Sequence, residues 1–328
     1  MNQLLSIRGL RTYFYTESGV AKAVDGVDLD IAEGEVLGLV GESGSGKSVT
    51  ALSVLRLIPD PPGRIVAGEI IYRGRDLLKL SQDEIREIRG NDISMVFQEP
   101  MTSLNPVFTI GMQVMEVILA HEDVPKDEAA ERAVQMLERV GIPRARDRAS
   151  NYPHEFSGGM RQRAAIALAL ACEPRVLLAD EPTTALDVMV QAQILELLVR
   201  LTRDLGLSMI LVTHDLPVVA QVCDRAAVMY AGEIVEMGAM SSIYHDPRHP
   251  YTRMLFGATP DLLGDADVLS IPGAPPRLDR EIVGCPFAPR CDSAFAPCAT
   301  VAPRRLETSP GHEAVCHLND HVVAKEPA

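Results

Sequence analysis

One eight-residue run constrains this chain more than any other feature: Gly41-Glu42-Ser43-Gly44-Ser45-Gly46-Lys47-Ser48. It matches G-x-x-x-x-G-K-[ST] and stands between an apolar run, Val36–Val40, and an apolar helical stretch, Ser48–Leu57. Gly41, Gly44 and Gly46 leave backbone N–H groups free to wrap an anion, and the helix that follows adds partial positive charge. Ser43 and Ser45 complete the loop; Lys47 then reaches β- and γ-phosphates, and Ser48 ligates Mg²⁺. Strand, glycine loop and helix in this order predict a nucleotide-phosphate site inside an α/β domain.

The surrounding pattern agrees with that class. Apolar runs alternate with helical stretches from about residue 35 to 230, as in a largely parallel sheet covered by helices. Ile93–Phe97, Val176–Ala179 and Met209–Thr213 read as further short buried strands. Between the last two, Ile194, Leu198, Leu201 and Leu205 form one helical stripe that Gly206 ends. Residues 100–156 carry helical pattern without strands, including Lys126–Val140 capped by Gly141, and read as a helical insertion. The strand Val176–Ala179 delivers two adjacent acids, Asp180 and Glu181, and buried carboxylates are costly unless a site uses them. Asp180 is expected to hold Mg²⁺, directly or through water, and Glu181 to polarise an attacking water.

Composition removes several classes. Lys plus Arg number 31 and Asp plus Glu 45, a formal net charge of −14, so the chain as a whole repels phosphate backbones. With no Trp and 4% aromatic residues it lacks base-stacking platforms as well, so no nucleic-acid partner is expected. Hydrophobic residues at 47% exclude disorder for the bulk of the chain. The longest uncharged apolar run, Ala164–Cys172, is nine residues, whereas a spanning helix needs ~20. Arg8 and Arg11 interrupt the N-terminal apolar residues, so no secretory h-region is read there and an intracellular chain is expected. Its six cysteines are then not a disulfide framework, and Cys172 and Cys223 read as small core residues.

A phosphate loop alone serves kinases, GTPases, helicases and transport ATPases equally. Phe156-Ser157-Gly158-Gly159-Met160-Arg161-Gln162-Arg163 separates them, because Ser157 caps a second helix N-terminus able to hold an anion. The run resembles the signature sequence of ATP-binding cassette (ABC) ATPases, in which one subunit's signature closes over ATP held by its partner. That resemblance implies the P-loop NTPase ABC fold, a RecA-like core with antiparallel β and helical subdomains. It implies roles for Ser157, Gly158 and Gly159 toward nucleotide and for Gln98 as the Q-loop residue near Mg²⁺ and water. Ala185-Leu186-Asp187 matches the D-loop, with Asp187 at the nucleotide, and His214 matches the switch histidine. Phe14 is the expected adenine-stacking aromatic, with Tyr13 and Tyr15 as alternatives.

Longer stretches narrow the resemblance. Val40–Ser48, Phe97–Pro106, Tyr152–Arg163, Asp180–Asp187 with Val190–Gln193, and His249-Pro250-Tyr251-Thr252 look like the ATPases of oligopeptide/dipeptide importers. The F-S-G-G-M form is similar to the D member of their paired D and F ATPases, and Met160 is then a family trait. The resemblance implies ATP hydrolysis coupled to peptide import, with Glu181, His214, Lys47 and Gln98 catalytic. Implied partners are a second, F-type ATPase in a heterodimer, two permeases and an extracytoplasmic binding protein. The chain would sit peripherally on the cytoplasmic face of the plasma membrane. Nickel, opine or sugar cargo stays open. A soluble cassette ATPase acting on DNA or ribosomes is disfavoured, because Gly41 and Ser157 are only 116 positions apart and a single cassette is present. A scaffold without turnover is disfavoured too, since every catalytic position is filled.

The expected domains are an ATPase at 1–260 and a Cys- and Pro-rich C-terminal module at 261–328; eight of the 23 prolines fall within 271–310. Cys285, Cys291, Cys298 and Cys316 crowd this tail, at spacings that fit neither common zinc pairs nor the bacterial ferredoxin run. A metal cross-link would help tie such loops together. Some relatives in the resembled family carry an iron–sulfur cluster at four such cysteines, so a [4Fe–4S] cluster is expected, with Zn²⁺ or unliganded thiols as alternatives. His312 and His317 are candidate substitute ligands.

Overall fold

A computed structural model describes residues 3–183, 186–257 and 271–320. Ala185 of the expected D-loop and the expected boundary at 260/261 lie outside the described residues. In chain order the elements open with strands β1 (Gln3–Thr16), β2 (Gly19–Ala32) and β3 (Val36–Val40), then helix α1 (Lys47–Val54). Next come β4 (Gly63–Tyr72), β5 (Arg75–Asp76), α2 (Gln82–Ile88) and β6 (Ile93–Val96). Four helices without an intervening strand follow: α3 (Pro100–Ser103), α4 (Ile110–His121), α5 (Lys126–Arg139) and α6 (Ala145–Arg148). Then come α7 (Gly158–Leu170), β7 (Val176–Asp180), α8 (Val188–Leu205), β8 (Ser208–Thr213) and α9 (Leu216–Val222). The chain closes with β9 (Arg225–Tyr230), β10 (Glu233–Ala239), α10 (Met240–His245), α11 (Pro250–Gly257), β11 (Arg305–Ser309) and β12 (His312–Val315).

Contacts divide the chain into two compact units, each described by itself. Of the described residues, the first comprises 32–35, 79–183 and 186–211. Its parallel pair β6 and β7 runs in register from Ile93 opposite Val176 to Val96 opposite Ala179. Every residue of both strands is buried, as expected of parallel strands covered on both faces. The helical residues expected at 100–156 form α3 to α6. The amphipathic α5 buries Ala129, Ala133, Val134, Met136 and Leu137 on one face. Arg163 of α7 donates to the carbonyl of Val140 at 2.7 Å and so satisfies an orphan acceptor at the end of α5. Gly206 ends α8 in the left-handed conformation, as its sequence stripe predicts. Cys172, expected in the core, is only half-buried; its thiol donates to the Val117 carbonyl at 3.6 Å, and burial pushes its pKa up to about 11.

Of the described residues, the second unit comprises 3–31, 36–78, 212–257 and 271–320. It carries an antiparallel sheet of order β2-β1-β4-β5. In β2, Val27, Leu29 and Ile31 are buried while Asp28 and Asp30 alternate with them. Asp30 accepts from Ser6 at 2.7 Å and pairs with Arg8 at 2.6 Å, and these bonds pin β2 to β1. A mixed set runs in the order β11-β12-β10-β9-β3: β3 and β9 are parallel, and the successive pairs beyond β9 are antiparallel. Residues 271–320 therefore join this sheet through β12, where Ala314 faces Glu236 and Glu313 faces Met237. Burial likewise lifts the Cys223 thiol, to about 12. No described helix is long and apolar enough to cross a membrane.

Candidate nucleotide site

In the second unit β3 runs straight into the phosphate loop, and α1 begins at Lys47 with Gly46 as its N-cap. Two glycines are required by contact as well as by conformation. At Gly41, with φ +152°, a Cβ would stand 2.2 Å from the Met229 carbonyl oxygen. At Gly46, with φ +109°, it would stand 2.3 Å from the carbonyl oxygen of Ala23. Lys47 is 4% exposed, and its Nζ donates to the carbonyls of Gly41 at 2.8 Å and Glu42 at 3.0 Å. The Ser45 hydroxyl is buried without a hydrogen-bond partner. A buried orphan hydroxyl beside a buried ammonium, in a cradle closed to side chains, fits a phosphate group. His214 follows β8 and is exposed.

The aromatic positions divide by face along β1. Tyr13 donates to Asp25 Oδ1 at 2.7 Å, and burial together with Asp25 pushes its hydroxyl up to about 12. Phe14 pairs in register with Gly63, where a Cβ would come within 2.8 Å of the ring. Tyr15 is exposed.

In the first unit the expected Gln98 and Glu181 come together. They leave the carboxyl ends of β6 and β7 at equivalent register positions, and Gln98 Nε2 donates to Glu181 Oε2 at 3.0 Å. Asp180, the last residue of β7, is 6% exposed, and Glu181 takes φ +43°, a left-handed conformation uncommon for a residue with a side chain. Buried acid and strained acid at the C-terminal ends of parallel strands make the arrangement of a ligand site. The signature run and the D-loop also meet in this unit. Ser157 caps α7 by accepting from the N–H of Met160 at 3.4 Å, and Asp187 caps α8 by accepting from the N–H of Val190 at 3.0 Å. Gly158 faces Leu186 and Gly159 faces Val190, so the two helix starts are neighbours.

The metal expectation for the tail is corrected. Among the described residues no group of three or more His, Cys, Asp or Glu side chains is placed to hold a metal ion, so neither a [4Fe–4S] cluster nor Zn²⁺ is supported at Cys285, Cys291, Cys298 and Cys316. Burial pushes the Cys285, Cys291 and Cys316 thiols up, the last to about 11. His312 is engaged elsewhere, its Nε2 2.7 Å from the buried Glu236 carboxylate, and His317 Nε2 lies 2.8 Å from the Val301 carbonyl oxygen. The tail is tied down by other means: β12 pairing, a ring cluster of Tyr230, Tyr251 and Phe287, and an ion pair whose guanidinium is buried. That pair joins Arg290 to Glu42 of the phosphate loop across 248 positions, and Tyr251 contacts the same residue across 209. Sequence reasoning misses both contacts, because no spacing rule links residues so far apart.

Comparison with known proteins supplies the rest. The profile described as ABC transporter matches residues 24–184, and the one for the oligopeptide/dipeptide transporter C-terminal region matches residues 235–298. A probable peptide ABC transporter ATP-binding protein of Sinorhizobium fredii is 51% identical over 98% of this chain and 96% of its own length. The dipeptide transport ATP-binding protein DppD of Bacillus subtilis is 49% identical with the same coverage, 98% and 96%. Among solved structures, the dimeric ATP-binding cassette MJ0796 bound to ADP and Pi is 29% identical with a TM-score of 0.65. It covers 72% of this chain and 98% of its own.

Proposed function

The chain belongs to the ATP-binding proteins of peptide ABC transporters, and from that premise we propose how its residues divide the work. It is an ATPase that couples ATP hydrolysis to the import of peptides. The phosphate loop carries this reading: a buried Lys47, an orphan Ser45 hydroxyl and glycines closed to any side chain form a cradle suited to polyphosphate.

ATP phosphates are held by Gly41, Ser43, Gly44, Ser45, Gly46, Lys47 and Ser48. Ser48, Gln98 and Asp180 would hold Mg²⁺, which when bound neutralises charge on the phosphate oxygens. Glu181 accepts the proton of the attacking water, and Gln98 orients that carboxylate through its 3.0 Å hydrogen bond. His214 stabilises charge at the γ-phosphate, and Phe14 stacks on adenine, a choice supported by the family resemblance of its position. Ser157, Gly158, Gly159 and Asp187 offer two capped helix starts to nucleotide held by a second ATPase subunit. We assign residues 1–260 to the ATPase and 261–328 to a C-terminal module.

The assembly that fits this division pairs the chain with an F-type ATPase, two permeases and an extracytoplasmic peptide-binding protein. The chain then lies on the cytoplasmic face of the plasma membrane, held there by the permeases. The D-like F-S-G-G-M run supports the heterodimer. Reconstitution in proteoliposomes tests the whole: ATP-dependent uptake of labelled di- and oligopeptides is expected, and it should vanish with Lys47→Ala. Uptake of nickel, an opine or a sugar in place of peptide would refute the cargo, and unchanged uptake with Lys47→Ala would refute the site.

A further inference from the structure

Glu42 occupies an interior position of the phosphate loop where the motif demands no particular residue, yet its N–H, its carbonyl and its carboxylate are all engaged. Its carbonyl oxygen accepts from Lys47 Nζ at 3.0 Å and from the Ser45 N–H at 3.2 Å. Its N–H donates to the Tyr251 hydroxyl at 2.8 Å. Its carboxylate accepts a two-pronged contact from Arg290, at 2.6 Å and 2.9 Å. Tyr251 lies in α11, and Arg290 lies in the cysteine-bearing segment beyond it.

Arg290 is built for this contact. Its side chain is 5% exposed, its Nε donates to the Pro272 carbonyl at 2.8 Å, and its Nη1 also donates to the Tyr230 hydroxyl at 3.3 Å. A guanidinium so buried is tolerated only with its partners in place, so removing Glu42 leaves Arg290 as an uncompensated buried charge. A tail that needed only to be anchored has β12 and the aromatic cluster for that purpose. Spending its buried cation on the loop that holds Lys47 restrains a glycine-rich backbone that otherwise samples many conformations.

We infer that Tyr251 and Arg290 are positioning residues that fix the phosphate loop through Glu42, so that docking of the C-terminal segment sets nucleotide affinity. Linkage makes the effect reciprocal: nucleotide in the loop tightens the docking of residues 285–291. This rests on the reading that the loop binds nucleotide, and the experiment separates the two.

Mg·ADP is titrated calorimetrically into the full-length chain and its variants. Arg290→Gln raises Kd by roughly tenfold, within the usual span of coupling between sites. Tyr251→Phe keeps the ring and removes one hydrogen bond, and raises Kd about three- to tenfold. Arg290→Lys, which cannot make the two-pronged contact, falls between wild type and Arg290→Gln. Arg290→Gln with Glu42→Gln is no weaker than the worse single variant, because both remove one interaction. Mg·ADP also slows amide exchange at Ala288 and Arg290 in the wild type, a response that Arg290→Gln abolishes. A merely structural clamp would lower melting temperature and leave Kd and the exchange response alone. Wild-type Kd in Arg290→Gln overturns the inference. Should that variant fail to fold, wild-type Kd in Tyr251→Phe does so. Lys47→Ala is the control: if it binds Mg·ADP like wild type, the nucleotide reading itself fails.

Discussion

Replacing Glu181 by Gln isolates the one proton-accepting step in the proposed mechanism. The exchange keeps shape and keeps an oxygen for Gln98 Nε2, which now donates at 3.0 Å to the carboxylate. Losing the charge on that acceptor costs about 1 kcal/mol of stability at most, since a charged partner adds little more than that to a hydrogen bond. The left-handed backbone at φ +43° is as strained for Gln as for Glu, so it drops out of the difference. Turnover has no such compensation, because an amide does not accept the proton of water. A positioned general base is worth about 10²- to 10⁴-fold, or about 3 to 5 kcal/mol of barrier. Phosphate release at saturating ATP should therefore fall by roughly that factor, while Kd for Mg·ATP stays within about twofold. Turnover within about threefold of wild type would refute the assignment of Glu181. Parallel loss of binding and turnover would refute the argument that the side chain acts only in the chemical step.

Three further outcomes follow from the geometry. Gly46→Ala forces a methyl to 2.3 Å from the Ala23 carbonyl oxygen, so Mg·ADP binding should weaken more than about 100-fold and the melting temperature should drop; normal binding by calorimetry would show that the cradle is not the site. Ser157→Ala removes a helix cap whose 3.4 Å bond is long, so denaturant titration should show only about 0.5–1 kcal/mol lost, while steady-state hydrolysis by the assembled transporter falls further than that loss explains. Burial holds His249 neutral, its pKa pushed down to about 4 by desolvation against a smaller opposing pull from Glu236. The unfolded chain takes up that proton first as pH falls from about 6.5, so stability present at neutral pH is lost on acidification, by about 2 kcal/mol near pH 5. Urea titrations at the two pH values should show this slope in wild type and not in His249→Gln.

The legible parts of this chain are those whose physics is local. The phosphate loop declares itself because contiguous residues dictate both backbone shape and charge. The capped start of α7 follows from Ser157, and the stripe Ile194–Leu205 with Gly206 marks α8 and its end, whereas the Asp187 cap of α8 emerged only from the structure. Short strands were readable to within a residue or two: Ile93–Phe97 against β6 at Ile93–Val96, and Met209–Thr213 against β8 at Ser208–Thr213. The helix after the loop, expected to reach Leu57, stops at Val54, and Arg56 then turns left-handed. By contrast β1 and β2 were legible only through family resemblance. Their alternation is masked by paired charges such as Arg8 and Asp30, which satisfy each other across the strands.

By itself, then, the sequence determined the kinship and the ATPase class, since both rest on short runs whose spacing is their geometry. Tertiary structure alone decided what the tail does. Composition pointed to loops in need of a metal, but residues 305–315 found a sheet edge, and Arg290 found a carboxylate 248 positions upstream. With strand pairing, ring packing and the Arg290–Glu42 ion pair closing those loops, Cys298 and Cys316 are left as buried side chains and Cys285 and Cys291 as half-buried ones. No local rule foresees that outcome, because the free energy of closing a loop is set by whichever distant partner the folded chain brings to it.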